Sequence, residues 1–179
     1  MVMKRTLLFV GAAAVYMLSS CVQPGSAEKQ TATAPAESAE AVEFKDFGPE
    51  PLVIDMEQYT LQNETFRTSV WTGSLMQMTV MTLQPGEDIG LELHTKTDQF
   101  LRVEQGSGIV MMGDAEDNLD FQQRVEDDFA IFIPSGKWHN LLNDSDEPLK
   151  LYSIYTPVEH PHGTVHETRE EGIEHDHDH

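Results

Sequence analysis

The chain has 179 residues, room for one ordinary domain rather than two. Its 11 lysines and arginines against 31 aspartates and glutamates leave a net charge of −20, and so acidic a surface repels phosphate backbones, which excludes nucleic acid as a partner. With 1 cysteine there is neither an intrachain disulfide nor a two-thiolate metal site, so metal or catalytic chemistry has to rest on His, Asp, Glu and their neutral relatives.

At the start, Lys4 and Arg5 precede an apolar run from Leu7 to Leu18, and the small residues Ser19 and Ser20 follow. A charged stretch, an apolar stretch and a small-residue exit make a secretory signal. The apolar run falls short of the about 20 residues that a membrane span requires. The lone Cys21 comes directly after Leu18-Ser19-Ser20. This resembles the lipobox of bacterial lipoproteins, in which that cysteine is lipidated and becomes the mature N terminus. The implied organisation is a lipoprotein signal peptide over 1–20, lipidation at Cys21, and an anchor with a flexible linker over 21–45. The linker expectation follows from composition: Val22 to about Val42 is mostly Ala, Glu, Thr, Ser and Pro, with too little apolar surface to offset the entropy of ordering. Lipid chains on Cys21 would hold a soluble domain at a membrane of the cell envelope, on its periplasmic or outer-membrane side.

From Leu52 to Tyr155 turn residues recur at short intervals, as in Pro85-Gly86, Gln105-Gly106-Ser107-Gly108, Pro134-Ser135-Gly136 and Asn143-Asp144-Ser145. The runs between them predict strands over Leu75–Leu83, Ile89–His94, Phe100–Glu104, Ile109–Met112, Phe121–Val125, Ala130–Ile133, Trp138–Leu142 and Leu149–Tyr155. Many short strands at this spacing predict an all-β domain, a single antiparallel sandwich or small barrel over 46–158. A His-rich acidic arm or tail over 159–179 completes the chain.

Six of the 8 histidines lie beyond residue 159, which leaves His94 and His139 for the domain. Glu92 stands two residues before His94, and residues i and i+2 of a strand share a face about 6.5–7 Å apart. The two side chains can therefore converge on one ion, although a solvated Glu and an ordinary core histidine would show the same pattern. Gln99 follows across the turn-like Thr95–Asp98, and His139 comes just after Pro134-Ser135-Gly136.

The segment from Gly86 through Glu92, His94 and Gln99 to Gly106 resembles the first motif of the cupin superfamily, G-x5-H-x-H-x3,4-E-x6-G. The segment from Asp128 through Pro134, Gly136 and His139 to Asn143 resembles the second, G-x5-P-x-G-x2-H-x3-N. The run Gly86-Glu-Asp-Ile-Gly-Leu-Glu92 is similar to small single-domain bacterial cupins that often carry a mannose-6-phosphate-isomerase-like label, and the likeness covers roughly Leu52 to Thr168. The resemblance implies a jelly-roll-like antiparallel β-barrel with a metal site in its mouth, held by Glu92, His94, Gln99 and His139.

Three positions depart from the pattern: Glu92 replaces a histidine, Gln99 replaces a glutamate, and Asp128 replaces a glycine. The first two compensate in charge, leaving one carboxylate and three neutral ligands for a divalent transition metal. The oxygen-richer set shifts preference from copper and nickel toward manganese, iron or zinc. Four protein ligands on a six-coordinate ion leave two positions for substrate, water or oxygen.

Among the other residues, Pro134 and Gly136 are expected to aim His139 inward and Asn143 to satisfy backbone groups after its strand. Met76, Met78, Met81, Met111 and Met112 are expected to fill the core, and Trp71 and Trp138 to pack the barrel. Arg67 and Arg102 are expected in salt bridges rather than on a substrate. His160, His162 and His166 are within the resemblance and are assigned to a strand or arm against the barrel. His175–His179 reads as a solvated end that can also gather metal loosely.

The leading functional expectation is a metal-dependent enzyme of oxidoreductase or isomerase type, acting on a small organic molecule at the cell envelope. The alternative is a non-catalytic module that binds or senses a small ligand, and the resemblance leaves room for a homodimer. A phosphosugar isomerase is disfavoured, because its substrate is cytoplasmic and strongly anionic whereas this chain carries an export signal and is itself acidic.

Overall fold

A computed structural model describes residues 40–177. The signal segment, Cys21 and the linker up to residue 39 lie outside the described residues, as do Asp178 and His179. In chain order the elements are α1 (Met56–Gln62), β1 (Arg67–Thr72), β2 (Gln77–Leu83), β3 (Glu92–Leu93), β4 (Asp98–Gln105), β5 (Ser107–Gly113), β6 (Phe121–Glu126), β7 (Ala130–Ile133), β8 (Trp138–Leu142), β9 (Leu149–Thr156), β10 (Val165–His166) and α2 (Arg169–His177).

The strands form a six-stranded sheet in the order β10-β1-β2-β9-β4-β7 and a four-stranded sheet in the order β3-β8-β5-β6, with every pairing antiparallel. The all-β expectation holds, and the form is a two-sheet jelly roll. Met81, Leu83, Leu101, Val103, Val110, Ile131, Ile133, Leu141, Leu149 and Leu151 fill the space between the sheets. Period-2 alternation decides which side chains enter it. On β4 the inward set is Gln99, Leu101 and Val103; on β8 it is His139 and Leu141. Two polar residues thus hold inward positions on strands whose other inward positions are apolar.

All eight expected strands form, with ends shifted by a few residues except at Ala130–Ile133 and Trp138–Leu142. The run over Ile89–His94 yields only the two residues of β3, because Gly90 takes φ 98° and breaks the extended chain. Helix α1 starts at Asp55, whose carboxylate accepts from the Gln58 amide at 3.1 Å. At its other end the Lys150 ammonium donates to the carbonyls of Leu61 and Asn63 at 2.7 and 2.8 Å.

The segment after Val158 is integral to this body. β10 pairs with β1 in the register Arg67↔His166, and His160 and His166 are buried. Arg169 on α2 donates to the carbonyl of Asp88 at 3.0 Å and to its carboxylate at 2.8 Å. Asn143 behaves as expected: its amide donates to the carbonyls of Leu83 and Glu147, both at 2.9 Å. The methionine expectation holds for Met81, which is buried, and for Met112, which packs against the core; Met76 is exposed at the rim.

Candidate metal centre

Strands β3 and β8 pair so that Glu92 lies directly opposite His139. Cross-strand partners present their side chains on one face, as do residues two apart on an extended chain, so Glu92, His94 and His139 converge. Their ligand atoms all lie within 4.8 Å of one another. Glu92 Oε2 is 3.3 Å from His94 Nε2 and 3.6 Å from His139 Nε2. The turn before β8 fixes this register: Gly136 takes φ 81° and donates its N–H to the His94 carbonyl at 2.8 Å.

Each imidazole is oriented from its far side. His94 Nδ1 lies 3.1 Å from Glu159 Oε1, and His139 Nδ1 lies 2.9 Å from the Lys137 carbonyl. With each Nδ1 turned to those acceptors, both Nε2 atoms are turned to Glu92 Oε2. Gln99 reaches the interior from the other sheet, where its Nε2 donates to Ser153 Oγ at 3.2 Å and its Oε1 is left over. Glu92 Oε2, His94 Nε2, Gln99 Oε1 and His139 Nε2 are all buried without a hydrogen-bond partner. A buried polar atom left unpaired costs about 1–3 kcal/mol, more when charged, so the three that lie together on Glu92, His94 and His139 call for a cation, either a proton or a metal ion.

The electrostatics lead the same way. Burial by itself would raise the Glu92 carboxyl, but the close imidazoles of His139 and His94 and the charge of Arg67 hold it well below the usual carboxylate range. For His94 burial lowers the pKa, and the carboxylates of Glu159 and Glu92 overcome it, raising the group to about 9. A proton therefore sits in the metal-free cluster at neutral pH. Glu159 is lowered, first by its contact with His94. His160 is pushed down to about 2, by burial first and then by Arg67, so it stays neutral.

Two participants lie outside both motifs. Arg67, fully buried on β1, places its guanidinium 3.2 Å from Glu92 Oε1, which leaves Oε2 as the oxygen turned to the histidines. The sequence suggests a salt bridge for Arg67 but gives no sign that its partner is Glu92. Glu159 falls just past the last expected strand, at no motif spacing. Arg102 pairs with Glu104 at 2.8 Å and with Asp128, far from the cluster in function. Asp128 itself takes φ 71°, and Gly86, Gly106 and Gly136, the motif's other glycine positions, also have positive φ. The aspartate has replaced a glycine while keeping its left-handed backbone.

His94 and Glu92 bring the cluster to an open cleft of about 740 Å³, lined also by Lys96, Glu116, Glu159, Arg169 and Ile173. His139 and Gln99 are buried and are not part of its lining. The volume is within the about 300–1,000 Å³ usual for small-molecule sites.

A family model for the cupin domain matches residues 79–155. The uncharacterized protein YrkC of Bacillus subtilis is 57% identical over 130 residues, covering 73% of this chain and 70% of that protein. The uncharacterized protein L612 of Acanthamoeba polyphaga mimivirus is 37% identical over 114 residues, covering 63% of this chain and 69% of that protein. Among solved structures, BH2720 from Bacillus halodurans superposes with a TM-score of 0.72 at 55% identity, covering 73% of this chain and 98% of that chain. A double-stranded β-helix domain protein from Klebsiella pneumoniae shares the fold alone, with a TM-score of 0.51 at 17% identity over 66% of this chain and 100% of that chain.

Proposed function

The chain belongs to the cupin family, and on that premise we propose that it is a metal-dependent enzyme, acting on a small organic molecule at a membrane surface of the cell envelope. Glu92, His94, Gln99 and His139 are the proposed ligands of one divalent transition metal, taken from manganese, iron and zinc. The observation that carries this reading is the set of four buried ligand-type atoms, one on each of these residues, that have no hydrogen-bond partner while both Nδ1 atoms are tied elsewhere. That is the arrangement of a metal-ligating histidine, whose second nitrogen is committed to a carboxylate or carbonyl.

When bound, such an ion supplies Lewis-acid polarisation of a substrate oxygen or, for a redox metal, oxygen activation. The chain's own residues do the positioning. Glu159 fixes the His94 ring, the Lys137 carbonyl fixes His139, Ser153 sets which end of the Gln99 amide is free, and Arg67 holds one oxygen of Glu92. The cleft beside His94 receives the substrate. The envelope location rests on Lys4-Arg5, the apolar run to Leu18 and Ser19-Ser20-Cys21, with Cys21 as the proposed lipid anchor.

Metal analysis by mass spectrometry tests the centre. Purified protein is expected to carry one equivalent of a transition metal, and His94→Ala and His139→Ala to lose it while remaining folded. Folded wild-type protein that takes up no ion would overturn the proposal. Stoichiometric metal without turnover in oxidase, dioxygenase and isomerase assays would move the protein to the binding or sensing class.

A further inference from the structure

Eight lysines and arginines lie among the described residues, and seven of them are ion-paired. The exception is Lys96. It is exposed, and it lines the same cleft as Glu92 and His94, two residues further along the chain from His94. On a chain with 31 carboxylates, an ammonium without a partner is the uncommon state. The cleft even offers partners: Glu116 and Glu159 line it too, but Glu159 is taken by His94. Arg169, the other cation of the cleft wall, is committed to Asp88.

We propose that Lys96 is the anion-binding residue of this site, and that the substrate is a small organic acid whose carboxylate meets the Lys96 ammonium while its other oxygen function faces the metal centre. This rests on the metal reading above. A lysine presents a compact charge with three donors on a flexible stem, suited to one carboxylate oxygen rather than to a bidentate grip. The acidic surface does not forbid such a ligand, because charges beyond about 8 Å are largely screened at physiological salt, so the ammonium and a nearby dication set the local potential. A phosphate dianion would meet only this single unpaired cation, so a carboxylate is the better match.

The test uses the mature full chain loaded with cobalt(II), titrated with malonate, succinate and glutarate and with the monocarboxylates of equal length, propionate, butyrate and valerate. Binding is read from the visible cobalt spectrum and by calorimetry. At least one diacid is expected to bind tenfold or more tightly than its partner. Lys96→Met should cancel that preference, and Lys96→Arg should restore most of it. Metal content and the ligand-free cobalt spectrum of Lys96→Met should match wild type. The proposal is overturned if no pair shows the preference, or if the preference survives in Lys96→Met with its metal intact; the metal centre then still stands. A wild-type chain that binds no cobalt would remove both readings together.

Discussion

His94 lines the cleft and contacts Glu92 through Nε2, so its protonation governs metal entry to the centre. Only a neutral imidazole ligates, and the metal-free group is raised to about 9 by Glu159 and Glu92 after burial has lowered it. The sign follows: below pH 9 a metal must displace a proton, so affinity rises with pH and levels off above it. Calorimetry in buffers of different ionisation enthalpy is expected to give about one proton released at neutral pH and roughly a tenfold gain in affinity per pH unit between 6 and 8. A pH-independent affinity would mean that His94 does not ligate. Asp128 answers to a different constraint. Its φ of 71° costs an ordinary L-residue about 1–2 kcal/mol, which aspartate tolerates better than most. Asp128→Ala should therefore lose about 1 kcal/mol in urea unfolding, whereas Asp128→Gly, which gives up only an exposed pairing with Arg102, should stay close to wild type. Equal losses in both would show that the carboxylate, not the backbone angle, is what matters there.

Helix α2 is held through close approach rather than by a broad apolar face. A Cβ on Gly172 would run into the ring of Phe66, and Ile173 lies over Gly90. Gly172→Val should overpack this contact at a cost of about 1–3 kcal/mol and raise hydrogen exchange over 169–174 while the sheets keep their protection. Because α2 supplies cleft wall but no ligand, metal content should not change; loss of the ion would assign the helix a direct part in the centre. Neither helix is visible as a hydrophobic period, since α1 has 7 residues and α2 has Ile173 as its one large apolar residue, but their starts are written locally. Asp55 with Gln58, and Thr168 with Glu171, carry the spacing of a capping box. β1 escaped detection for another reason: Arg67, Thr68 and Ser69 are all buried, so no apolar alternation marks the strand. Strands β2 and β4–β9 were legible because turn residues mark their ends, and the convergence of Glu92, His94 and His139 because motif spacing is a local signal. Arg67 and Glu159 were not, because each meets the cluster through pairing or chain return over long sequence distances, and no local pattern records that.

The four proposed ligands come from both sheets: Glu92 and His139 from the paired strands β3 and β8, His94 from the turn beyond β3, and Gln99 from β4. An ion bound to them would cross-link the two layers of the jelly roll at its mouth, and the layers share one hydrophobic core. Binding should then raise the stability of the whole domain in one cooperative step, not firm up a single loop. At a hundredfold excess over the dissociation constant the gain is about 2.7 kcal/mol, which for a chain of this size moves the melting temperature by roughly 5–11 °C. Manganese or zinc should shift a single calorimetric transition by that amount in wild type and leave His139→Ala unmoved. The histidines of the tail need separating from this effect, and a cut after Val158 would not do it, since it removes Glu159 and the strand that pairs with Arg67. A chain ending at Glu174 keeps both and drops His175–His179. It should show the full shift. A shift that instead vanished with those five residues, while His139→Ala kept it, would relocate the metal from the jelly roll to the tail.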